Sequence, residues 1–231
     1  FVSEWIQKRF FIGIDDKLKT KTEIVYPGVN KKRKISKKKS YITFIGKLNE
    51  AKGYDIYAKS IVKILDEFPK WKAFSIGDEN RRKIYINHKN HFELGFLKHN
   101  KVLNLLDKTS ISVVPSRWEE PFGRTALEAS SRGCVTIISN RGGLAETSDN
   151  AIILKNLDSN YLYKSIKYFI KNDKKRKSIQ IKSFRNVQHT IKENTKLIDK
   201  IRVDTLPYSN FNIFKKKLKI MNIYNQGQKL N

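Results

Sequence analysis

The sequence predicts an α/β protein of Rossmann type, with a doubly wound parallel sheet that is covered by helices. Short runs of β-branched and aromatic residues alternate with longer segments whose apolar residues fall at helical spacing. This alternation is typical of a parallel sheet with crossover helices, and it continues over roughly 110 residues, as in one doubly wound domain. Polar, glycine-containing stretches follow three of the predicted strands, at the end of the sheet where such folds bind ligands.

The predicted strands and helices follow one another in a regular order. Six runs predict strands at residues 41–46, 72–77, 91–95, 110–116, 135–139 and 151–154. The segments between them predict helices at about 53–68, 100–108, 122–132 and 143–147. In the first helix Ile56, Ile61 and Leu65 share one apolar face, and Pro69 closes the helix. Segments 157–172 and 174–203 predict consecutive helices that pack over the sheet.

The two ends of the sequence differ from this pattern. Residues 1–30 predict a helix, a strand over 23–27 and a turn, and the basic run KKRKISKKKS then leads to the first core strand. That run has the composition of a nuclear-localisation signal, but an exposed connection is the simpler interpretation. Because the sequence opens without Met, on a stretch that looks like a strand entering a helix, we expect the C-terminal part of a longer protein. After residue 206 the mixture of aromatic and basic residues predicts a tail.

The net charge of +26 allows two interpretations. A strongly basic chain attracts polyanions such as nucleic acid, acidic lipid headgroups or nucleotide diphosphates. Alternatively, a compositional bias spreads lysines over a solvated surface. The lysines occur along the whole chain, which favours the second interpretation and predicts no nucleic-acid partner.

The numbers and positions of cysteine and histidine residues bear on the cellular compartment and on metal binding. The single cysteine, Cys134, cannot form an internal disulfide, and its place at the start of an apolar run predicts a buried core residue. A single unpaired cysteine fits a reducing cytoplasm, so we expect a cytoplasmic protein. No apolar run approaches the ~18–20 residues of a membrane span, so the folded part is expected to be soluble. His88, His91, His99 and His189 show no metal-ligand spacing, and no metal site is predicted.

Three loops that follow predicted strands carry the residues able to bind a ligand. The carboxyl ends of parallel strands are where loops and helix N-termini converge. The loop after the first strand reads GKLNEAKG, the loop after the third reads GFLKHN, and the loop after the fourth reads SRWEEPFGRTALEA. We therefore place the candidate site at this edge of the sheet.

The loop after the fourth strand has carboxylates on both sides of a Pro-Phe-Gly turn. Pro121 suits the first turn of a helix because it lacks the amide hydrogen that would be unsatisfied there. The three backbone amides that follow it then stay free at the positive end of the helix dipole and can hold an anion or sugar hydroxyl groups. Glu120 is predicted just outside this helix and Glu128 about two turns into it.

These side chains suit an elongated ligand with hydroxyl pairs at two points. An ionised carboxylate only accepts hydrogen bonds, whereas a vicinal diol offers two donors, so Glu120 and Glu128 are each suited to a sugar. Lys47 and Lys52, in the loop after the first strand, are predicted across the cleft, where they can neutralise a diphosphate. Together these features predict a nucleotide-sugar ligand.

The run PSRWEEPFGRTALEASSRGCVTIISNRGGLAET resembles the E-x7-E signature of retaining GT-B glycosyltransferases of family 4, with the small-residue strand and Gly-Gly loop that follow it. GKLNEAKG is similar to the phosphate-binding loop of that family, and FVSEW with VYPGVN is similar to the junction where the acceptor domain ends. The resemblance covers about residues 1–185. It implies the C-terminal half of a GT-B enzyme: 1–36 as the end of the acceptor domain and linker, 37–203 as the nucleotide-sugar-binding domain, and 204–231 as a basic tail.

The resemblance also implies a role for each matching residue. The donor sugar would be held by Glu120, Phe122, Gly123 and Arg124. The nucleotide would be held by Gly46, Lys47, Lys52, Gly95, Phe96, Thr125 and Glu128. The catalytic residues would be Glu120, Lys52 and Lys47. The family usually has arginine at position 47, and lysine keeps the charge but loses the planar fork of donors.

The implied reaction transfers a sugar from a nucleoside diphosphate sugar to a carbohydrate or glycolipid acceptor with retention. Fixed positive charge and helix dipoles would stabilise the leaving group, and the absence of a D-x-D triplet agrees with a reaction that needs no metal and no cofactor. The family suggests polysaccharide or lipopolysaccharide biosynthesis, with surface lysines that assist contact with the inner face of the membrane. The acceptor domain lies outside these residues, so the chain supplies the donor half.

Several assignments stay open from the sequence alone. Glu119 neighbours Glu120, and the register favours Glu120. Arg124 can bind phosphate or pair with Glu119, and Glu146 can cap the helix that follows it instead of touching a ligand. Two rival functions are a basic nucleic-acid-binding module, whose binding would fall steeply with salt, and a non-catalytic relative that binds a partner protein. The aromatic residues inside apolar segments count against the first, and the intact E-x7-E counts against the second.

Overall fold

The computed structural model describes residues 1–15, 22–80 and 84–205, and its centre is a six-stranded parallel sheet. The strands are β1 (Tyr41–Ile45), β2 (Lys72–Ile76), β3 (His91–Glu93), β4 (Ile111–Val114), β5 (Val135–Ile138) and β6 (Ile152–Ile153). Their spatial order is β3-β2-β1-β4-β5-β6, and each neighbouring pair is parallel. The prediction of a doubly wound parallel sheet is therefore confirmed.

One helix precedes the first strand, and the others lie between and after the strands. They are α1 (Glu4–Phe10), α2 (Tyr54–Glu67), α3 (His99–Lys108), α4 (Arg124–Ser131), α5 (Ser159–Lys171), α6 (Asp173–Arg185) and α7 (Ile191–Thr205). Two short 3-10 helices, Glu50–Lys52 and Gly143–Thr147, follow β1 and β5. Helix α7 continues to Thr205, and the predicted tail from residue 206 onward lies outside the described residues.

The composition of each strand matches its place in the sheet. β4 and β5 are buried at every position, and their sequences ISVV and VTII are nearly continuous apolar runs, as expected when helices cover both faces. The edge strands β3 and β6 have only three and two residues. Short edge strands leave few unpaired backbone groups at the borders of the sheet.

Two apolar layers hold the helices on the sheet. Phe44, Tyr57 and Leu162 belong to the larger cluster, which joins β1 to α2 and α5. Leu106 and Cys134 belong to a second cluster, which joins β2 to α3 and α4. Cys134 is fully buried, as the sequence predicts, and burial raises the pKa of its thiol. The second layer packs α3 and α4 against the sheet.

One lysine of the run KKRKISKKKS departs from the predicted exposed connection. The side chain of Lys38 is half-buried, and its Nζ donates to the carbonyl oxygens of Leu106 at 3.0 Å and Arg132 at 2.6 Å. Burial lowers the pKa of Lys38. Because both carbonyls lie at the C-terminal ends of helices, Lys38 adds a charged donor to each end, although Leu106 O also accepts from the Thr109 amide at 3.1 Å.

The strand predicted at residues 23–27 is wrong. Residues 22–28 form no strand, and Val29 makes a single bridge with Thr190, in the connection between α6 and α7. The Val29 amide donates to His189 O, and the Ile191 amide donates to Val29 O, each at 3.1 Å. Tyr26 uses its ring to pack against His189, at a centroid distance of 4.2 Å. Tyr26 and Val29 thus contact residues 189–191, at the start of α7, instead of forming a strand.

Gly53 occupies the tight junction between the first 3-10 helix and α2. Its φ is +72°, and a Cβ at this position would overlap the carbonyl oxygen of Pro115. Gly13 has a similar φ of +79°, but a Cβ there would have no heavy atom within 4 Å. A substitution at Gly13 therefore tests the cost of the left-handed backbone alone, whereas a substitution at Gly53 adds the cost of the overlap with Pro115.

We expect Gly53→Ala to lower the free energy of unfolding by about 3 kcal/mol or more, and Gly13→Ala by only about 1 kcal/mol. Both variants pay for a left-handed conformation, but only Gly53→Ala also pushes β4 away from α2. Urea denaturation followed by circular dichroism measures both values. Equal losses in the two variants would show that the contact with Pro115 relaxes without cost.

Candidate functional site

Two cavities lie side by side at the carboxyl edge of the sheet. The first, called here the α4 cavity, has a volume of 390 Å³ and lies between Lys52, Glu120 and the start of α4. The second, called here the α3 cavity, has a volume of 450 Å³ and lies between Phe96, the start of α3 and Glu128. Both cavities include Gly46, so they meet at the end of β1.

Most of the residues that the sequence singled out line these cavities. The α4 cavity contains Gly46, Lys52, Glu120, Phe122, Gly123, Arg124 and Thr125. The α3 cavity contains Gly46, Lys47, Phe96, Thr125 and Glu128. Gly95 lines neither cavity. Its carbonyl oxygen accepts a hydrogen bond from the Gly77 amide at 2.9 Å, which joins the ends of β2 and β3. The two lysines predicted to act together are thus divided between the two cavities.

Lys52 and Glu120 form an ion pair inside the α4 cavity. Lys52 Nζ lies 2.6 Å from Glu120 Oε1, and Ser116 Oγ donates to the same oxygen at 2.9 Å. The side chain of Asn49 caps the 3-10 helix by accepting from the Lys52 amide at 3.1 Å, which fixes the start of the lysine side chain. The sequence placed Lys52 and Glu120 on opposite sides of the cleft, whereas the structure brings them into contact.

The start of α4 differs from the prediction. The helix begins at Arg124 with Gly123 as its N-cap residue, so Pro121 precedes the helix instead of lying in its first turn. The physical reason is that the chain before Gly123 follows the loop after β5: Glu120 forms a backbone bridge with Gly142. Among the described residues no side chain caps α4. The Ala126 amide donates to Gly123 O at 3.0 Å, so the amides of Arg124 and Thr125, which have no acceptor within the helix, are the ones beside the α4 cavity.

Gly123 allows close packing at this point. Its φ is +107°, and a Cβ there would lie 2.5 Å from a methyl group of Leu144. Phe122, the residue before it, is 2% exposed and packs under Tyr26 and His189, with centroid distances of 5.6 and 5.5 Å. Burial, followed by a hydrogen bond with Glu146, raises the pKa of Tyr26 to about 12. Because the ring of Phe122 is buried, its backbone is the part that is available to the α4 cavity.

Glu128 is a buried carboxylate at the border of the α3 cavity. Its residue exposure is 6%, and its Oε1 lies 3.0 Å from His99 Nε2 and 3.4 Å from Arg124. The alternative in which Arg124 pairs with Glu119 is wrong. Glu119 instead lies 3.2 Å from Arg141 and accepts a hydrogen bond from the Gly142 amide at 2.6 Å. The spacing of four residues on one helix turn explains why Arg124 meets Glu128.

The GGLAE loop after β5 contacts both the loop before α4 and the start of α1. The Gly143 amide donates to Glu120 O at 2.7 Å. Glu146 accepts hydrogen bonds from the amides of Glu4 and Trp5 at 2.7 and 2.9 Å, so it caps α1 and not the helix that follows it, contrary to one expectation. A carboxylate at a helix N-terminus is stabilised by the helix dipole. The loop thereby joins α1 to the carboxyl edge of the sheet.

Several residues that line the cavities were missed from the sequence. They include Val2, Pro27, Gly77, Asp78, Leu97, His99 and Val102. Gly77 and Asp78 directly follow β2, so the rule that points to strand ends would have found them. His99 was considered only as a metal ligand, although it opens the helix that follows Phe96.

The described residues contain neither a metal-binding cluster nor a membrane-spanning helix. Across residues 1–15, 22–80 and 84–205, no group of three or more His, Cys, Asp or Glu side chains is placed to hold a metal ion. Within the same ranges no helix is both long enough and apolar enough to cross a membrane.

Solved structures with this fold include glycosyltransferases. Anabaena HepE, described in complex with UDP and glucose, superposes with a TM-score of 0.72 at 18% identity, over 89% of this chain and 62% of HepE. The C-terminal domain of a glycosyl transferase group 1 family protein (LpcC) from Francisella tularensis superposes with a TM-score of 0.58 at 21% identity, over 72% of this chain and 95% of that domain. The architecture is therefore that of GT-B glycosyltransferase structures.

Sequence comparison agrees. An uncharacterized glycosyltransferase of Methanocaldococcus jannaschii, MJ1178, is 29% identical over 188 residues, which are 77% of this chain and 51% of the relative. Spore coat protein SA of Bacillus subtilis is 28% identical over 137 residues, which are 52% of this chain and 36% of the relative. The chain thus spans about half or less of these curated relatives. The profile of the family "Glycosyl transferases group 1" matches residues 28–185, most of the chain, and the chain belongs to that family.

Proposed function

We propose that this chain is the donor-binding part of a retaining glycosyltransferase of the family 4 type, which transfers a sugar from a nucleoside diphosphate sugar to a carbohydrate or glycolipid acceptor. The observation that carries the proposal is the pair of joined cavities. One contains the Lys52–Glu120 pair, the other contains the buried carboxylate of Glu128, and they meet at Gly46 and Thr125. An extended ligand with a sugar at each end and a diphosphate between them matches that arrangement.

The nucleoside end of the donor is assigned to the α3 cavity. Glu128 accepts hydrogen bonds only, and the ribose diol supplies two donors. Phe96 is 78% exposed beside this cavity, which leaves its ring free to stack on a base. Leu97 and Val102 provide an apolar wall that excludes water from the base.

The diphosphate is assigned to the junction of the two cavities. Gly46 and Thr125 line both cavities, and Thr125 lies in the first turn of α4, where uncapped amides and the helix dipole attract an anion. Lys47 and Lys52 add two positive charges from the loop after β1. This fixed charge stabilises the departing diphosphate, so the proposed reaction uses no metal ion and no cofactor.

The sugar end is assigned to the α4 cavity, with Glu120 as acceptor for its hydroxyl groups and the start of α4 as donor. In the reaction the bond between the anomeric carbon and the diphosphate oxygen breaks, and the acceptor hydroxyl oxygen bonds the same carbon on the same face. The proton of that hydroxyl passes to the departing diphosphate. The transition state is oxocarbenium-like, and no covalent enzyme intermediate is involved.

The comparisons support the choice of donor class. The Anabaena relative is described with UDP and glucose, which makes UDP the first nucleotide to test and favours a hexose. We further propose that the enzyme acts in the cytoplasm, at the inner face of the membrane. Its pathway would be the assembly of surface polysaccharide or lipopolysaccharide. The charge of +26 supports the membrane contact.

We expect Glu128→Gln to weaken nucleotide binding by roughly ten- to a hundredfold, because an amide replaces the charged acceptor of the ribose diol. Isothermal titration of UDP, GDP and ADP into the wild-type chain and the variant measures this, with and without EDTA. Asp149→Asn removes one negative charge at an exposed turn outside both cavities and is the matched control.

Two results would contradict that expectation. Unchanged nucleotide affinity in Glu128→Gln would remove Glu128 from the binding site. Loss of wild-type binding in EDTA would show that the site depends on a metal ion.

We expect Lys52→Met to weaken UDP binding by roughly tenfold while uridine binding stays the same, because only UDP places a phosphate beside Lys52. Lys52→Arg keeps the charge and should recover most of the UDP affinity. Lys59→Met, at an exposed position of α2, controls for the general loss of positive charge. Equal weakening of UDP and uridine would indicate a disturbed fold instead of a lost phosphate contact.

A further inference from the structure

The buried carboxylate of Glu128 has a partner that the proposed function leaves without a role. The Glu128 side chain is 8% exposed, and His99 Nε2 lies 3.0 Å from its Oε1. His99 is the first residue of α3, whereas Glu128 lies on α4, so the contact joins the two helices beside the α3 cavity. The His99 side chain is itself 61% exposed, so burial of the ring does not explain its position.

The chemistry of the two groups determines which of them donates the hydrogen bond. An ionised carboxylate only accepts hydrogen bonds, so the Nε2–H group of His99 donates the hydrogen bond to Glu128 Oε1. The neutral Nε2–H tautomer and the imidazolium ion both make this bond. The last torsion of a glutamate side chain is broad, and a hydrogen bond to one oxygen restricts it.

Other charged groups near this carboxylate play a weaker part in its orientation. Arg124 faces the same Oε1 at 3.4 Å, a longer contact, and its side chain is 67% exposed on the same helix. Lys47 and Asp78 line the α3 cavity from the loops after β1 and β2. His99 is the group that reaches Glu128 from across the cavity wall at 3.0 Å, so it can set the direction of the carboxylate relative to the α3 cavity.

We propose that His99 is a positioning residue for ribose recognition. It holds Oε1 of Glu128 so that the remaining lone pairs of the carboxylate are directed at the 2′ and 3′ hydroxyl groups. A carboxylate has about four lone-pair directions, so the contacts of His99 and Arg124 with Oε1 leave two directions for the two hydroxyl donors. The inference rests on the proposed function, and it makes the α3 cavity selective for ribonucleotides over nucleotides that lack the diol.

The test compares UDP with 2′,3′-dideoxy-UDP, which lacks both hydroxyl donors. We expect His99→Ala to weaken UDP binding by roughly five- to tenfold, as for one lost hydrogen bond of ordinary strength, and to leave dideoxy-UDP binding unchanged. His99→Gln keeps a donor and should restore most of the UDP affinity. Asn100→Ala alters an exposed neighbour on α3 that lines neither cavity and is the control.

Each contrary outcome has a separate meaning. Equal weakening of both nucleotides by His99→Ala would overturn the proposal, since His99 would then act on the cavity and not through the diol. Unchanged UDP binding in His99→Ala, together with weakened binding in Glu128→Gln, would also overturn it while leaving the proposed function intact. If Glu128→Gln also binds UDP normally, the proposed function fails together with this inference.

Discussion

The loop between β4 and α4 is held from both sides, and both cavities depend on that restraint. On one side the amides of Arg117 and Trp118 donate to Ala51 O, each at 2.9 Å. On the other side the Gly143 amide donates to Glu120 O at 2.7 Å. Hydrogen bonds therefore join the loops after three neighbouring strands, β1, β4 and β5, at one edge of the sheet. Because the loop cannot shift alone, the start of α4 keeps a fixed distance from the loop after β1.

This restraint gives two neighbouring carboxylates different partners. Successive side chains of an extended backbone point to opposite sides. Glu120 therefore enters the α4 cavity and meets Lys52, while Glu119 turns to the loop after β5 and binds Arg141 and the Gly142 amide. One carboxylate faces the ligand space, and the other fixes the loop that holds it. A change at Glu119 thus acts on the cavity through the backbone.

The sequence was sufficient for the features that depend on local pattern. The apolar runs of β4 and β5 and the strand-end loops were predicted because burial on two faces and parallel topology leave clear signals. Features decided by distant partners were not. Pro121 was placed in a helix because the residue that holds the preceding Glu120 in a backbone bridge, Gly142, is remote in sequence. The contact between His99 and Glu128 joins two helices, and no local sequence pattern predicts it.

The Lys52–Glu120 pair determines how the α4 cavity responds to a ligand. The two side chains are 30% and 14% exposed, so separating them without replacement leaves a partly desolvated charge. A phosphate oxygen can replace the carboxylate beside Lys52, and a sugar hydroxyl can replace the ammonium beside Glu120. A ligand that carries both groups satisfies both residues, whereas a free diphosphate satisfies only one. In the proposed reaction the cavity therefore favours the intact donor, and Lys52 and Glu120 can pair again once the sugar has been transferred.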